Sequence, residues 1–445
     1  MNKLYFFVGT GLALSLAFSS CSDDEINNSG SATTKSEISG YKDNSACLNI
    51  IEDGAADFNE ADYQSQTLSD SETKLVVGIN GFSLKLLSEV ANENIKKNQN
   101  TFISPYSLEQ SLSILANGAN GETFEEIITS LKFSGTRTEF NSSNKILSNL
   151  LMKATDETKF ENANSLWMND GLSINRSFYS DVNNFYGTHV YALKFSSKNA
   201  GNIINRWCSD MTHGLIDNAV NQGPLDGQLC LANAAYFKSQ WLTPFDKELT
   251  KKDLFTNTDK KQTKVSMMQT AKPLYALFTS INGAEVASVP FIDGVNMAII
   301  LPDEGADLAD FVQTVNEETW QQINSSLSVT ALNLYMPSFK IDAETQMNNY
   351  LNNIGIRSVF TPDADFKRLS PTPLYVNKMY QVSTIDVDEN GAEAAAVTIT
   401  GMMWDSGETH IPQTPVEFRV ERPFVFVIYD TQTSAIMFAG CVNNL

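Results

Sequence analysis

Histidine is scarce in this sequence, because only His189, His213 and His410 occur in 445 residues, far apart along the chain. The contiguous motifs of serine hydrolases, zinc proteases, dithiol redox proteins and phosphate-binding loops are absent as well. Histidine is the commonest side chain for proton transfer and for metal binding in proteins. These absences argue against a hydrolase or a metalloenzyme, and we expect no catalytic residue, metal or cofactor.

Basic residues are outnumbered, since 31 lysines and arginines stand against 52 aspartates and glutamates, which gives a net charge of −21. A nucleic-acid-binding protein needs clustered cationic side chains to neutralise phosphates. Binding to an anionic lipid surface through charge alone has the same requirement. The composition therefore argues against both of these functions.

The chain also lacks an apolar run long enough for a transmembrane helix, since its longest, residues 4–18, falls short of the ~20 residues that span a bilayer. Lys3 precedes this run and two serines follow it, which is typical of a secretory signal. The next residue, Cys21, resembles the cysteine of a bacterial lipobox. We therefore expect residues 1–20 to be a lipoprotein signal peptide and Cys21 to be lipidated.

The tract Ser-Asp-Asp-Glu at 22–25 resembles the acidic signal that sends lipoproteins to the cell surface in the Bacteroides group. This predicts an outer-membrane lipoprotein that is exposed on the cell surface and meets the membrane only through Cys21. The alternatives are an anchor that faces the periplasm and plain secretion with Cys21 removed.

Residues 22–72 differ in composition from the rest, with 12 acidic and two basic residues and much Ser, Asn and Gly. Their net charge of −10 is nearly half of the chain's total. Such a segment buries too little apolar surface to offset the entropy lost on ordering. We predict that residues 21–72 are an acidic, disordered tether, whose one apolar patch at 47–51 is able to pack on the domain.

Few cysteines remain once Cys21 is lipidated, namely Cys47, Cys208, Cys230 and Cys441. Their spacing shows no disulfide framework, and a chain of this length needs no covalent staples. We expect no essential disulfide.

Residues 73–445 show one continuous globular pattern without a repeat or a Pro- or Gly-rich joint, which predicts a single domain. Helical spacing runs through residues 80–94, and Ser104 followed by Pro105 predicts a helix N-cap and first turn. Thr123 and Glu126 match a capping box, and residues 118–121 predict a turn between two helices.

The second half is richer in strands, with β-rich runs at 230–237, 295–301, 331–336 and 423–429 and a turn at 302–305. Helices followed by strands predict an α+β fold around a large sheet.

One segment near the C-terminus favours two different structures. An alanine-rich run favours a helix, whereas the β-branched residues 397–400 favour a strand. Alternation places small residues on one face, namely Ala392, Ala394, Ala396, Thr398 and Thr400. Small side chains enter between existing strands at little steric cost, so we predict a segment that is a loop in one state and a central strand in another.

This segment is one of several features through which the sequence strongly resembles the serpin family over residues 75–445. Each landmark is weak alone, but many occur in the family's order. They are ISPYSL (103–108), GANGET (118–123), ANSLW (163–167), ANAAYFK (232–238) with Trp241, SMM (266–268), ILPDEG (300–305), MPSF (336–339), ERPFVF (421–426) and FAG (438–440).

The resemblance implies the serpin fold, in which a helical first half packs on a large mixed or antiparallel main sheet with two smaller sheets. It also implies an exposed reactive-centre loop at about 389–417. A target protease cleaves this loop and becomes acylated, and the loop then inserts into the sheet and distorts the enzyme. The protein would thus act as a monomeric inhibitor of serine, and also cysteine, proteases.

The resemblance further assigns residue roles. Ser104, Ser107, Asn233 and Gln381 match the polar cluster called the shutter, in which Gln381 replaces the family's usual histidine. Trp241 matches a tryptophan near the insertion point. The hinge of the loop comprises Glu389, Gly391, Ala392, Glu393, Ala394, Ala395, Ala396 and Thr398.

Several neighbouring positions are candidates for the scissile bond. The family register counted from Glu389 places it between Asp405 and Ser406, and a shift of one residue places it after Trp404. Met403 or Met402 would suit a chymotrypsin- or elastase-like protease. The absence of charge on the hinge's inward face favours inhibition over the alternative, a non-inhibitory serpin-fold module that binds a ligand or partner.

Overall fold

The computed structural model describes residues 49–51, 67–152, 158–214, 217–392 and 414–445. Cys21, the hinge residues 393–398 and the candidate cleavage residues 402–406 lie outside the described residues.

Nine α-helices occur in the described residues, and six of them precede residue 212. They are α1 (Asp70–Lys96), α2 (Pro105–Gly118), α3 (Gly121–Ser130), α4 (Arg137–Leu151), α5 (Arg176–Tyr186), α6 (Ala200–Met211), α7 (Leu308–Thr314), α8 (Glu317–Ser326) and α9 (Asn348–Ile354).

The first of two large sheets has six strands in the order β13-β14-β15-β6-β3-β5. With strands numbered in chain order, its members are β3 (Lys159–Asn169), β5 (His189–Leu193), β6 (Leu229–Gln240), β13 (Phe339–Gln346), β14 (Val376–Val387) and β15 (Gly391–Ala392).

The second sheet has ten strands, with the order β2-β18-β17-β11-β10-β9-β12-β8-β7 and β16 paired to β12. The two smaller sheets expected beside the main one are joined here into one hydrogen-bonded path, because β9 pairs with both β10 and β12. The strands are β2 (Thr101–Ile103), β7 (Lys251–Thr256), β8 (Gln262–Gln269), β9 (Leu274–Ile281), β10 (Ala284–Pro290), β11 (Val295–Pro302), β12 (Ser328–Pro337), β16 (Val416–Arg419), β17 (Phe424–Asp430) and β18 (Ile436–Val442).

A third, two-stranded sheet pairs β1 (Asn49–Ile51) with β4 (Ser173–Asn175) in parallel. The N-terminal apolar patch therefore supplies a strand to the folded domain.

α2 contacts both large sheets. It packs against β6 of the first sheet and β18 of the second, and all of its residues are buried. Phe438 of β18 contacts Phe160 of β3 at 5.4 Å and Phe237 of β6 at 5.7 Å between ring centroids, which continues the core between the sheets. The helix that carries two shutter residues is thus enclosed between the two sheets.

Helix boundaries follow local capping. Ser104 is the N-cap of α2 and Pro105 its first residue, and the turn between α2 and α3 spans 118–121, so both predictions are confirmed. The capping box predicted at Thr123 is wrong, because α3 begins at Gly121 after Asn120. The Thr123 hydroxyl instead accepts a hydrogen bond from the N–H of Asp365 at 3.0 Å.

α1 begins ten residues before the predicted helical spacing. Ser69 and Glu72 form a capping box there, and the Glu72 carboxylate accepts the N–H of Ser69 at 2.7 Å. Glu72 is buried and also accepts a hydrogen bond from Ser143 of α4. This acid was counted with the tether, but it fixes the start of the domain's first helix.

Candidate functional site at the opening of the six-stranded sheet

The two central strands of the six-stranded sheet, β6 and β14, are closed over most of their length and open at one end. They run parallel and pair directly along β14 from Val376 to Thr384. Beyond this stretch β15 lies between them, since Gly391 and Ala392 pair with β6 and Ala392 also pairs with Val387 of β14. The first residues of the segment predicted to insert thus lie inside the sheet.

Gly391 is required by the close approach of β15 to β6. A Cβ atom at this position would lie 2.1 Å from the carbonyl oxygen of Ser239 and 2.7 Å from Cα of Gln240. Both neighbours are backbone atoms, so no side-chain rotation relieves the overlap. Any other residue at 391 would have to move β15 away from β6.

A tight turn at residues 388–391 leads into β15. The Asp388 carboxylate accepts the N–H groups of Asn390 at 2.7 Å and Gly391 at 3.2 Å, while the Asp388 N–H donates to the Gly391 carbonyl at 2.9 Å. The next residue, Glu389, accepts a hydrogen bond from the Thr250 hydroxyl at 2.7 Å. The hinge therefore begins in an ordered, hydrogen-bonded turn.

Trp241 holds this turn against the sheet. Its ring is buried and stacks on Phe291 at 4.0 Å between centroids and 8° between planes. Its indole N–H donates to the Asp388 carbonyl at 3.0 Å and its backbone N–H donates to the Asn390 carbonyl at 2.8 Å. The tryptophan that the resemblance places near the insertion point thus bonds to the turn that leads into β15.

Deeper in the sheet, Gln381 of β14 and Asn233 of β6 lie directly opposite each other. Gln381 Nε2 donates to Asn233 Oδ1 at 2.9 Å and to the Ser104 carbonyl at 2.7 Å, and its Oε1 accepts the Ser104 N–H at 2.9 Å. The Ser104 hydroxyl donates to the Ser107 hydroxyl at 2.8 Å. Ser104, Ser107, Asn233 and Gln381 therefore form one buried network, which we name the shutter cluster.

The side-chain amide of Gln381 supplies both donors and an acceptor to the shutter cluster. A neutral histidine offers one donor and one acceptor, whereas the glutamine amide donates twice and accepts once here. The side chain does not titrate, so the bonds that join β14 to α2 and β6 do not depend on a protonation state. Opening the sheet requires that the Gln381–Asn233 bond break.

Sequence reasoning missed two members of this network. Asn233 Nδ2 also donates to the Oδ1 atoms of Asn164 at 2.9 Å and Asn162 at 3.2 Å, which extends the shutter cluster into β3. Asn164 lies in one of the landmarks, but that motif alone does not indicate that its amide faces a buried polar group rather than solvent. Only the pairing of Asn164 with Asn233 across β3 and β6 reveals this.

α2 also carries a buried carboxylate, that of Glu109. Glu109 is fully buried and accepts hydrogen bonds from Ser113 Oγ at 2.6 Å and Gln110 Nε2 at 2.7 Å. Desolvation raises the pKa of Glu109 to about 7, although the bonds from Ser113, Gln110 and Asn144 oppose the shift. The sequence placed Glu109 on a helix without indicating that it is enclosed.

The thiols within the described residues are buried and free, namely Cys208, Cys230 and Cys441. Burial raises the pKa of Cys230 and Cys441 to about 12, so neither is a reactive thiolate. In the same part of the chain, no group of three or more His, Cys, Asp and Glu side chains is arranged to hold a metal ion. None of the helices described is both long and apolar enough to cross a bilayer.

These observations define a protein in which a short strand, β15, lies between one end of two parallel strands, β6 and β14, of a six-stranded sheet. The model of the serpin (serine protease inhibitor) family matches residues 78–445. The chain belongs to the serpin family, many of whose members inhibit proteases.

Individual relatives agree with this assignment. Iripin-1 of Ixodes ricinus is 30% identical over 382 residues, which cover 84% of this chain and 95% of iripin-1. The native-state structure of tengpin, a thermophilic serpin, matches with a TM-score of 0.74 and 25% identity, over 89% of this chain and 97% of tengpin. Human thyroxine-binding globulin shares the fold with a TM-score of 0.74 and 24% identity, over 84% and 99% of the two chains.

Proposed function

We propose that this protein is a suicide inhibitor of serine proteases, with cysteine proteases as a second target class. The protease's nucleophile attacks the loop carbonyl of residue 405, 404, 403 or 402, the peptide bond breaks, and the new amine leaves with the C-terminal part. The acyl-enzyme then stays linked to the loop, which inserts between β6 and β14 and carries the protease along.

The observation that carries this proposal is the entry of Gly391 and Ala392 between β6 and β14. Ala392 is fully buried. Continued alternation would give Ala394, Ala396 and Thr398 the same inward face, which bears no charge and no bulky side chain. The start of the loop is therefore suited to becoming a central strand.

The energy of insertion is large enough to distort a partner. Insertion removes the direct β6–β14 ladder, which has eight registered pairs. A strand of ~10 residues would form ~10 backbone hydrogen bonds with each neighbour, and at ~0.5–1.5 kcal/mol net per bond the gain is on the order of 10 kcal/mol. This is comparable with the ~5–15 kcal/mol that stabilises a typical domain.

We also propose that the protein is a lipoprotein of the Bacteroides type, anchored in the outer membrane by Cys21 and exposed on the cell surface. The signal-like residues 1–20 and the acidic tract at 22–25 support this location. A surface inhibitor would protect the envelope from proteases of a host or of neighbouring cells. Metabolic labelling with a palmitate analogue, compared between wild type and Cys21→Ala, tests the anchor.

The inhibitory function is tested by mixing the protein with chymotrypsin-, elastase- and papain-type proteases. A covalent adduct that survives denaturing electrophoresis is expected, and mass spectrometry of the released C-terminal peptide identifies the scissile bond. Loop cleavage should also raise the thermal midpoint. A serpin-fold binding module without inhibitory activity would form no adduct and gain no stability on cleavage.

A further inference from the structure

A cluster of lysines interrupts the acidic character of the chain. Residues 247–264 contain six basic and three acidic residues, a net charge of +3 in a chain of −21. All six basic side chains are exposed, namely Lys247, Lys251, Lys252, Lys260, Lys261 and Lys264. Most of them lie on the hairpin formed by β7 and β8, whose outer strand β7 ends the ten-stranded sheet.

One face of this hairpin combines an exposed apolar side chain with two of the lysines. Leu254 is 43% exposed and lies directly opposite Lys264 in the β7–β8 register. Lys252 is two residues away on β7, so it shares the face of Leu254, and its ammonium donates to the Ser266 hydroxyl at 2.9 Å. We name Lys252, Leu254 and Lys264 the lysine face.

The hairpin is bonded to β16, the strand that follows the predicted reactive loop in the sequence. β16 is the first described strand after that loop, and its last residue, Arg419, pairs with Asp253 of β7 and with Glu421. The Arg419 guanidinium also lies 4.7 Å from the ring centroid of Tyr335 of β12. Since Asp253 alternates with Lys252 and Leu254, it holds β7 to β16 while the lysine face stays accessible.

We infer that the lysine face, which adjoins the described strand β16, is a docking surface for an acidic patch on the target protease; this inference rests on the proposed inhibitory function. An acidic protease is repelled by a chain of net charge −21. A local cationic surface beside β16 would offset this repulsion and steer the protease into the reactive encounter. The exposed Leu254 favours a protein partner over a sulfated polysaccharide, because an apolar side chain gains by desolvation against a protein surface.

The test compares wild type with Lys252→Gln/Lys264→Gln. The matched control is Lys194→Gln/Lys198→Gln, which removes the same charge from two exposed lysines beside β5. The probes are an anionic and a cationic isoform of one chymotrypsin-type protease. Readouts are the second-order rate constant of adduct formation as a function of NaCl concentration, the stoichiometry of inhibition, and the Kd for each isoform with its catalytic serine replaced by alanine.

For Lys252→Gln/Lys264→Gln, the hairpin variant, we expect the rate constant of adduct formation with the anionic isoform to be about 3- to 10-fold lower at low salt. The difference from wild type should shrink at high salt, and the stoichiometry of inhibition should not change. The cationic isoform and the control variant should show no such loss. If the rate constant falls equally in both variants, or falls in neither, the docking surface is overturned. Adduct formation in the same experiment would still support the inhibitory function.

If wild type forms no adduct with any protease, the proposed function fails. The docking surface is tested independently by the Kd for the inactive anionic isoform. Equal Kd values for wild type and Lys252→Gln/Lys264→Gln would overturn it. Binding of heparin through the lysine face with unchanged protease rates would also overturn it.

Discussion

Gln381 Nε2 donates to Asn233 Oδ1 over 2.9 Å, across the two strands that must separate if a loop is to enter the sheet. The same glutamine bonds both the carbonyl and the N–H of Ser104, the N-cap of α2. One side chain thus fastens β14 to β6 and to the central helix. The ladder below β15 is held closed by side chains as well as by backbone pairing.

Replacing Gln381 by alanine should weaken the intact protein. The change leaves the Ser104 N–H and the side-chain oxygen Oδ1 of Asn233 buried without this partner, which costs about 2–4 kcal/mol. We expect the thermal midpoint of the intact protein to fall by several degrees. The loop-cleaved protein should lose less, since β6 and β14 no longer pair there.

The control is Gln269→Ala, which removes a partly buried amide that donates to the Tyr335 hydroxyl at 3.2 Å within the ten-stranded sheet, not between β6 and β14. It should lower the midpoint of both forms slightly and equally. An equal loss in the intact and cleaved forms of Gln381→Ala would mean that this residue stabilises the fold without closing the sheet.

Gly391→Ala should expel β15 from the sheet, because the added Cβ would lie 2.1 Å from the Ser239 carbonyl oxygen. Two paired residues contribute only about 1–3 kcal/mol of hydrogen bonding, less than such a backbone overlap costs. Hydrogen exchange at residues 391 and 392 should accelerate, and cleavage by a nonspecific protease near the hinge should become faster. Ala392→Ser, with nearly the same volume and no such clash, serves as the control.

Unchanged exchange in Gly391→Ala would show that β6 shifts to accommodate the methyl group. In that case the close approach of β15 would not be the reason for glycine at this position.

The sequence predicted strands well where a local residue pattern is sufficient to define them. The strand run at 230–237 lies within β6, the run at 295–301 within β11 and the run at 331–336 within β12. Alternation and β-branched residues are sufficient for such strands. The resemblance also selected Trp241, Asn233 and Gln381, which the structure brings to the boundary between β6 and β14.

Features that depend on the approach of distant segments were not predictable. The bonds of Thr250 to Glu389 and of Asn164 to Asn233 join residues 139 and 69 positions apart. The start of α1 was hidden because Ser69, Asp70 and Glu72 have the composition of the acidic segment. Thr123 failed as a cap because the chain near Asp365 engages its hydroxyl.

Ala396→Arg should convert the inhibitor into a substrate. Ala392 is fully buried in β15, and strand alternation gives position 396 the same inward face. Insertion would then bury an unpaired guanidinium at a cost of several kcal/mol, so hydrolysis of the acyl-enzyme would overtake insertion. Electrophoresis should show cleaved inhibitor and free protease instead of the adduct, and Thr398→Arg should behave alike.

Ala395→Arg is the matched control, because it places the same charge one residue away on the opposite face. It should retain most of the adduct. Stable adducts with Ala396→Arg and Thr398→Arg would contradict the insertion mechanism.

Glu109 should make the intact protein less stable as the pH rises from about 4.5 to about 7. Its folded pKa is raised from about 4.5 to about 7 by burial, so the folded state holds its proton more tightly than the unfolded state. The stability present below pH 4.5 is lost between pH 4.5 and 7 and stays lost above, by about 3 kcal/mol at most. Glu109→Gln is neutral at every pH, so it should raise the thermal midpoint at pH 8 and leave it little changed at pH 4.5. Glu125→Gln, on the exposed side of α3, should have no such effect. If Glu109→Gln raised the thermal midpoint equally at both pH values, the effect would come from packing rather than from the buried charge.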